Sequence, residues 1–283
     1  MSGPLFSIVI PTRDRNDLLG LCLGRLAPGV QTLSADRYEI IVSDDSVSGA
    51  AAPFLAERFP WVRHTMGPRR GPAANRNHGA TLATGELIVF LDDDCLPEVD
   101  LLAGYASALL QEVGAYEGRI TCRAGFDSPR ETAPINLTGG ALWSCNFAIR
   151  RSAFAGIGGF DERFPLPHME DVDMRLRILA AGNDIVFVPG ASVDHPPRRL
   201  PWGAKLALMH QATVLFEELH PPQHGLLWFL QNQLRARVSY VIRFSKSFDS
   251  LTALLSIPFE LGTIALRWNG WKQWARRTVG APR

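Results

Sequence analysis

The sequence predicts an α/β fold: a mostly parallel, Rossmann-like sheet sandwiched by helices, followed by a helical C-terminal extension. Three observations carry that expectation. Short apolar runs alternate with helical patterns over residues 5–113, the rhythm of strands buried on both faces. Three of those runs end in polar clusters, Thr12-Arg13-Asp14, Asp44-Asp45-Ser46 and Asp92-Asp93-Asp94. Beyond residue 200 strand signals cease and helical spacing takes over.

The elements follow in order. Residues 5–10 form an apolar run closed by Pro11, which reads as a buried strand. Leu18, Leu19, Leu21, Cys22 and Leu26 recur at helical spacing. Residues 38–43 predict a second strand, 50–59 a helix and 62–65 a short strand. Gly71-Pro72 opens a small-residue helix over 72–84, since proline fits a helix's first turn. Residues 86–91 predict a strand running into Asp92-Asp93-Asp94, and 99–113 an apolar helix. After that the alternation fades. Residues 122–140 are polar and rich in Gly, Pro and Thr, which predicts a loop; 141–149 read as a strand. Met169, Val172, Leu176 and Leu179 make an apolar helical stripe, and 184–188 and 191–193 two short strands before Asp194-His195. Residues 196–201 read as a linker, then helices over about 200–219, 225–246 and 249–268. The expected domains are 1–195, which holds the strands and the three polar clusters, and a helical C-terminal region, 196–283.

Composition narrows the function classes. With 283 residues, 46% apolar and 20% charged, the chain builds a substantial core and is not disordered. Its net charge of +1 hides two unlike parts. Residues 1–195 hold 17 basic and 24 acidic side chains, net −7; residues 196–283 hold 12 and 4, net +8. No leader is expected, because the first four residues carry no basic side chain and the apolar run after them is short. No uncharged apolar run reaches the roughly 18–20 residues of a clear membrane span; the nearest, 251–266, contains Pro258 and Glu260. Cys22, Cys95, Cys122 and Cys145 are widely spaced without a CxxC pair, so reduced thiols are expected rather than a zinc knuckle or disulfides. No nucleic-acid-binding motif is present.

The triple aspartate is the sharpest feature. Adjacent carboxylates at a strand end repel one another unless a cation offsets them. Mg²⁺ or Mn²⁺ suits such oxygen ligands and bridges to phosphates. In an extended chain residues 92 and 94 point the same way. His195 follows a predicted strand, and a neutral imidazole is a good Mn²⁺ ligand. Asp94 and His195 are therefore the metal candidates. A solvated acidic loop is the plainer alternative.

The residues resemble family 2 glycosyltransferases with the A-type, nucleotide-diphospho-sugar transferase fold. The matching stretches lie in the family's order: Ser7-Ile8-Val9-Ile10-Pro11-Thr12-Arg13-Asp14-Arg15, Glu39-Ile40-Ile41-Val42-Ser43-Asp44-Asp45-Ser46 and Asn75-Arg76-Asn77-His78-Gly79-Ala80. The run 85–94, Gly158-Gly159-Phe160-Asp161-Glu162 and Glu170-Asp171-Val172-Asp173 complete the set. The resemblance implies a nucleotide-sugar site built from Pro11, Thr12, Asp44, Asp45, Arg76, Asp92 and Asp93. Asp45 or Asp44 would accept a hydrogen bond from the base, Arg76 would face the diphosphate, and Asp92 the ribose or sugar. It also implies Asp94 and His195 at the metal, Asp171 as general base, and Glu170 on the acceptor side. Where the family often has Gly before the Glu-Asp pair, this chain has Met169.

The implied reaction is metal-dependent, inverting transfer from a UDP-, GDP- or dTDP-linked sugar to an acceptor hydroxyl. A lipid-linked saccharide or another cell-envelope glycan is the expected acceptor. The competing readings are a non-catalytic sugar-nucleotide-binding scaffold and a nucleotidyltransferase. Trp143 offers either a platform for a sugar ring or a core aromatic. In the basic tail, Trp268, Trp271 and Trp274 interleave with Lys272, Arg276 and Arg277. That pattern suits peripheral attachment to an anionic membrane, at the inner face of the plasma membrane for a cytoplasmic enzyme. The alternative is a helical subdomain with its Trp side chains turned inward.

Overall fold

The computed structural model describes residues 3–110, 113–244 and 248–280; residues 111–112 and 245–246 of the expected helices lie outside that set. In chain order it begins β1 (Phe6–Thr12), α1 (Asn16–Leu26), β2 (Tyr38–Asp44), α2 (Ala51–Arg58), β3 (Arg63–Met66) and α3 (Pro72–Ala80). Then come β4 (Leu87–Leu91), β5 (Leu96–Pro97), α4 (Leu101–Ser107), β6 (Ala115–Thr121), β7 (Glu131–Thr132), β8 (Asn146–Arg150) and α5 (Arg151–Gly156). The chain continues with α6 (Glu170–Ala180), β9 (Ile185–Asp194), β10 (Arg198–Arg199) and α7 (Gly203–Ala207). It ends with α8 (His210–Leu219), α9 (Leu226–Arg243) and α10 (Phe248–Gly280). Met1–Arg123 with Pro134–Pro196 form one compact unit, and Ala124–Ala133 with Pro197–Arg283 a second.

The first unit is the α/β sandwich that the alternation predicts. Its eight strands run in the order β3-β2-β1-β4-β8-β6-β9-β5. The β3-β2-β1-β4 half is parallel throughout, whereas β8 runs antiparallel to both β4 and β6, so the sheet is mixed. Strand alternation builds the core on both faces. In β1, Phe6, Ile8 and Ile10 join one apolar cluster and Val9 the other. In β4, Leu87, Val89 and Leu91 face the first, Ile88 and Phe90 the second. Gly79 in α3 lies so close to β1 that a Cβ there would stand 2.6 Å from Val9 Cγ1, so a glycine lets this helix sit down on the sheet.

Several expectations change here. The apolar helix expected over 99–113 is α4, which stops at Ser107. β6 lies where the alternation fades, because Glu117 and Arg119 interrupt the apolar pattern of Ala115–Thr121. The two short strands expected before His195 are one strand, β9, with a register shift opposite Gly118 and Arg119. Helix α6 is present, but it buries Glu170, Asp173, Met174 and Ile178 rather than the Val172–Leu176–Leu179 stripe. Its buried carboxylates displace the inward face from the apolar one.

The second unit is helical, apart from the two-stranded β7–β10 pair. Helix α10 runs 33 residues, well past the expected end at 268. Pro258 lies inside it with its ring side exposed. The inward face repeats at intervals of three and four: Ile257, Glu260, Ile264, Trp268, Trp271 and Ala275 are buried. Trp268 packs on Phe229 of α9, ring centroids 5.2 Å apart. The tail tryptophans at 268 and 271 are therefore core residues, not a membrane-facing row. By length and composition α10 qualifies as a membrane span, which the broken run at 251–266 did not suggest; only 22% of its apolar window is buried.

Candidate active site

Strands β2, β1 and β4 are neighbours and parallel, so their C-terminal ends bring the three polar clusters together. The triple aspartate divides its work. Asp93 is fully buried: Thr12 Oγ1 donates to its Oδ2 at 2.7 Å, and Arg15 grips it with Nη2 at 2.6 Å from Oδ1. Burial pushes Asp93 up to about 7 against the pull of Arg15. Asp93 and the Thr12 hydroxyl thus lock β4 to β1, instead of facing a nucleotide as the resemblance implies. Pro11 is buried in the same strand.

Asp94 turns the other way. Its Oδ1 lies 3.4 Å from His195 Nε2, and both atoms are buried without a hydrogen-bond partner. His195 Nδ1 sits 2.9 Å from the Pro196 carbonyl. A carbonyl only accepts, so Nδ1 carries the proton and, in the neutral ring, Nε2 presents its lone pair. Cys95 Sγ lies within 4.8 Å of these ligand atoms. Burial raises the Cys95 thiol well above its usual range, and its Sγ–H donates to the Cys145 carbonyl. The available donors are thus a carboxylate and an imidazole, a set that suits Mn²⁺ or Mg²⁺ better than a thiolate-seeking metal. Arg15 Nη1 lies 3.2 Å from Asp94 Oδ2, a half-exposed cation beside these ligands that sequence patterns did not single out.

The motif Asn75-Arg76-Asn77 joins three elements to α3. Asn75 exchanges hydrogen bonds with Ser43 at the end of β2. Asn77 Nδ2 donates to the Phe160 carbonyl, and Phe160 N–H donates back to its Oδ1. Arg76, buried between them, reaches Asp92 Oδ1 at 2.6 Å and Glu170 Oε1 at 3.2 Å. Both terminal nitrogens of Arg76 are engaged with carboxylates, so it links the end of β4 to the start of α6. Arg76 Nε is buried without a hydrogen-bond partner, so one donor of the guanidinium stays uncommitted.

Helix α6 begins at Met169, which adopts φ 71°, the left-handed region that glycine tolerates best. This is the position where the family often has Gly. The turn delivers three carboxylates, Glu170, Asp171 and Asp173, to the helix N-terminus, where the dipole favours negative charge. Glu170 is buried, with Oε2 unpartnered; burial, reinforced by Asp171, raises it to about 7. Asp171 is half-buried, and its Oδ1 accepts a hydrogen bond from the Val172 N–H at 2.9 Å. Burial also raises Asp171, against the attraction of Arg76. The i,i+4 pair on this helix is Asp173–Arg177, leaving Asp171 out of it.

At the end of β2, Asp44 is fully buried, accepts the Ser46 N–H at Oδ1, and has an unpartnered Oδ2 facing His64 Nε2 at 3.7 Å. Asp45 accepts the Arg69 N–H at 2.9 Å. Either carboxylate keeps capacity for a base. Trp143 is half-buried against the core, and its Nε1–H donates to the Ile135 carbonyl, so the ring has a fixed orientation. Glu117, which broke the strand pattern of β6, is buried. It accepts the N–H groups of Gly140 and Ala141 and the Asn136 side chain, and so ties down the Gly139-Gly140 turn.

The glycosyl transferase family 2 model matches residues 7–158, just over half of the chain. The chain belongs to that family. Among curated relatives, it is 29% identical over 250 residues to a pre-mycofactocin glycosyltransferase of Mycobacterium tuberculosis, covering 78% of this chain and 50% of that protein. It is 38% identical over 104 residues to an N-acetylglucosaminyl-diphospho-decaprenol L-rhamnosyltransferase of the same species, covering 34% of this chain and 33% of the relative. This family 2 chain spans half the length of the first of these and a third of the second. Its fold resembles the mannosyltransferase PcManGT of Pyrobaculum calidifontis, solved with GDP-Man and Mn²⁺, with TM-score 0.55, 19% identity, and 98% and 84% of the two chains covered.

Proposed function

We propose that this chain is an inverting, metal-dependent glycosyltransferase that moves a sugar from a nucleoside-diphosphate sugar to an acceptor hydroxyl. The observation that carries the proposal is the pair of buried, unpartnered ligand atoms, Asp94 Oδ1 after β4 and His195 Nε2 after β9. Buried polar atoms are normally satisfied, and a divalent ion satisfies both. Asp94 and His195 would hold Mn²⁺ or Mg²⁺, whose positive charge stabilises a leaving diphosphate. A structural relative, the mannosyltransferase PcManGT, was solved with both GDP-Man and Mn²⁺, in keeping with a nucleotide sugar and a divalent ion acting together.

Asp171 acts as the base. The Val172 N–H orients its carboxylate, and burial raises its basicity. It takes the proton of the acceptor hydroxyl as that oxygen forms its bond to the anomeric carbon. The bond from that carbon to the diphosphate oxygen breaks, and the nucleoside diphosphate departs. One displacement inverts the anomeric centre and calls for no second, nucleophilic carboxylate. Arg15, beside Asp94, is placed to meet negative charge on the diphosphate. Asp92, held by Arg76, faces the ribose or sugar, while Asp44 or Asp45 receives the base. Glu170 and Trp143 lie toward the acceptor. A lipid-linked saccharide is the acceptor class this reading favours, as in the decaprenol-linked substrate named for one relative.

The test is a thermal-shift and hydrolysis panel of UDP-, GDP- and dTDP-sugars with and without Mn²⁺. One donor is expected to raise the melting temperature in the presence of Mn²⁺ and to release its nucleoside diphosphate slowly. Asp94→Asn and His195→Ala are expected to abolish the Mn²⁺-dependent part of the shift. If no sugar nucleotide shifts the wild-type chain, the proposal fails.

A further inference from the structure

We infer that the outward face of α10 seats this chain on an anionic lipid surface. The inference rests on the lipid-linked-acceptor reading for its purpose, since such an acceptor is presented at a membrane, but not for its evidence. Half a turn from the buried face of α10, Leu251, Leu254, Leu255, Phe259 and Leu266 are 56%, 47%, 61%, 70% and 88% exposed. Between them the outward positions are Pro258, Gly262 and Ala265, so no charge interrupts the face from 251 to 266. A helix apolar on both sides needs a second apolar environment. Further along the same side the residues become Asn269, Gln273, Arg276 and Arg277. An apolar stretch that gives way to basic residues is the pattern of an interfacial helix.

Charge identifies the occupant. The four carboxylates of residues 197–280 are all engaged in ion pairs: Glu217 with His224, Glu218 with Lys272, Asp249 with Arg199 and Glu260 with Arg237. The exposed cations Lys205, Arg235, Arg243, Arg267 and Arg277 enter none of those pairs. Anionic headgroups complement that excess, whereas a second copy of the region would bring like charge against it. The helix lies on the bilayer rather than crossing it. Its opposite face is committed to protein, with Glu260 ion-paired to Arg237 halfway along the apolar stretch.

The experiment is flotation of the full chain with vesicles of phosphatidylglycerol and phosphatidylcholine, against phosphatidylcholine alone. The wild type is expected to float with the anionic vesicles and less so at high salt. Leu255→Glu with Leu266→Glu is expected to cut binding about tenfold or more at an unchanged melting temperature. Arg267→Gln with Lys205→Gln is expected to weaken binding to anionic vesicles alone. Should the paired Glu variant misfold, Leu266→Ser alone, at the most exposed position, replaces it and is expected to weaken flotation. The inference is overturned if the wild type stays with the soluble fraction, or if the Glu variant floats equally well. It is also overturned if light scattering shows a dimer that the Glu variant dissociates while neither protein binds vesicles. Donor hydrolysis on the same preparations separates the two readings. Hydrolysis without flotation overturns the membrane surface alone, and flotation without hydrolysis overturns the transferase reading alone.

Discussion

The two units treat buried charge in opposite ways. In the sheet unit, buried atoms of Asp44, Asp94, Glu170 and His195 lack hydrogen-bond partners, and they gather at strand and helix ends. In the helical unit the buried carboxylate Glu260 has both oxygens on Arg237, and His210 Nε2 lies 3.4 Å from Oε1. Among the described residues, His210 Nδ1 is the one such unpartnered atom there. The contrast separates two uses of desolvated charge. Paired charge fixes helices against one another, whereas unpartnered charge is held ready for something outside the protein.

Four predictions sharpen or break that contrast. The largest concerns the base. Asp171→Asn is expected to lower the transfer rate about 10³-fold, equivalent to about 4 kcal/mol, and to leave donor binding within a few-fold. Single-turnover rates beside nucleotide titrations check it; full activity would remove Asp171 from the chemistry. Next is the paired charge. Glu260→Gln leaves Arg237 and His210 without their counter-charge, and is expected to cost about 3 kcal/mol in urea unfolding. Asp94→Asn, where Oδ1 is unpartnered and Arg15 keeps its pair with Asp93, is expected to be neutral or stabilising in the same assay without metal.

The third prediction is pH-dependent. Glu170 is raised to about 7, against about 4.3 in an unfolded chain. Between those values the folded chain holds a proton that the unfolded chain has released, so stability falls as pH rises through the window. The expected loss from pH 5 to pH 8 is about 2 kcal/mol. Asp93, also raised to about 7, adds a like share, so Glu170→Gln should shrink the slope rather than abolish it, and an unchanged slope would assign the loss elsewhere. The smallest effect is at Met169, whose left-handed backbone strains a side chain. Met169→Gly is expected to gain about 0.5–1 kcal/mol, after offsetting glycine's greater freedom in the unfolded state.

Legibility in the sequence followed the range of the interaction. The runs of β1, β2 and β4 and the three polar clusters at their ends were readable because strand burial and breaker residues are local signals. Neighbouring strand order then brings those clusters together. β6 was hidden by Glu117, whose charge makes sense only once the amides of Gly140 and Ala141 come to meet it. The inward face of α6 is hidden in the sequence for the same reason. Its buried residues include two carboxylates, and a hydrophobic stripe cannot announce them.

The sequence alone determined the α/β class, the family, and the pairing of a strand-end aspartate with a distant histidine as metal candidates. Motif order and local periodicity suffice for that. Only the tertiary structure decided how the three aspartates divide their roles. Asp92 is tied to Arg76, Asp93 turns inward to Thr12 and Arg15, and Asp94 turns to His195. It also decided that Trp268 and Trp271 belong to the core while leucines and Phe259 face outward. The physical reason is common to both. Composition states which side chains are charged or apolar, but partners far along the chain determine which of them are left with nothing inside the protein to contact.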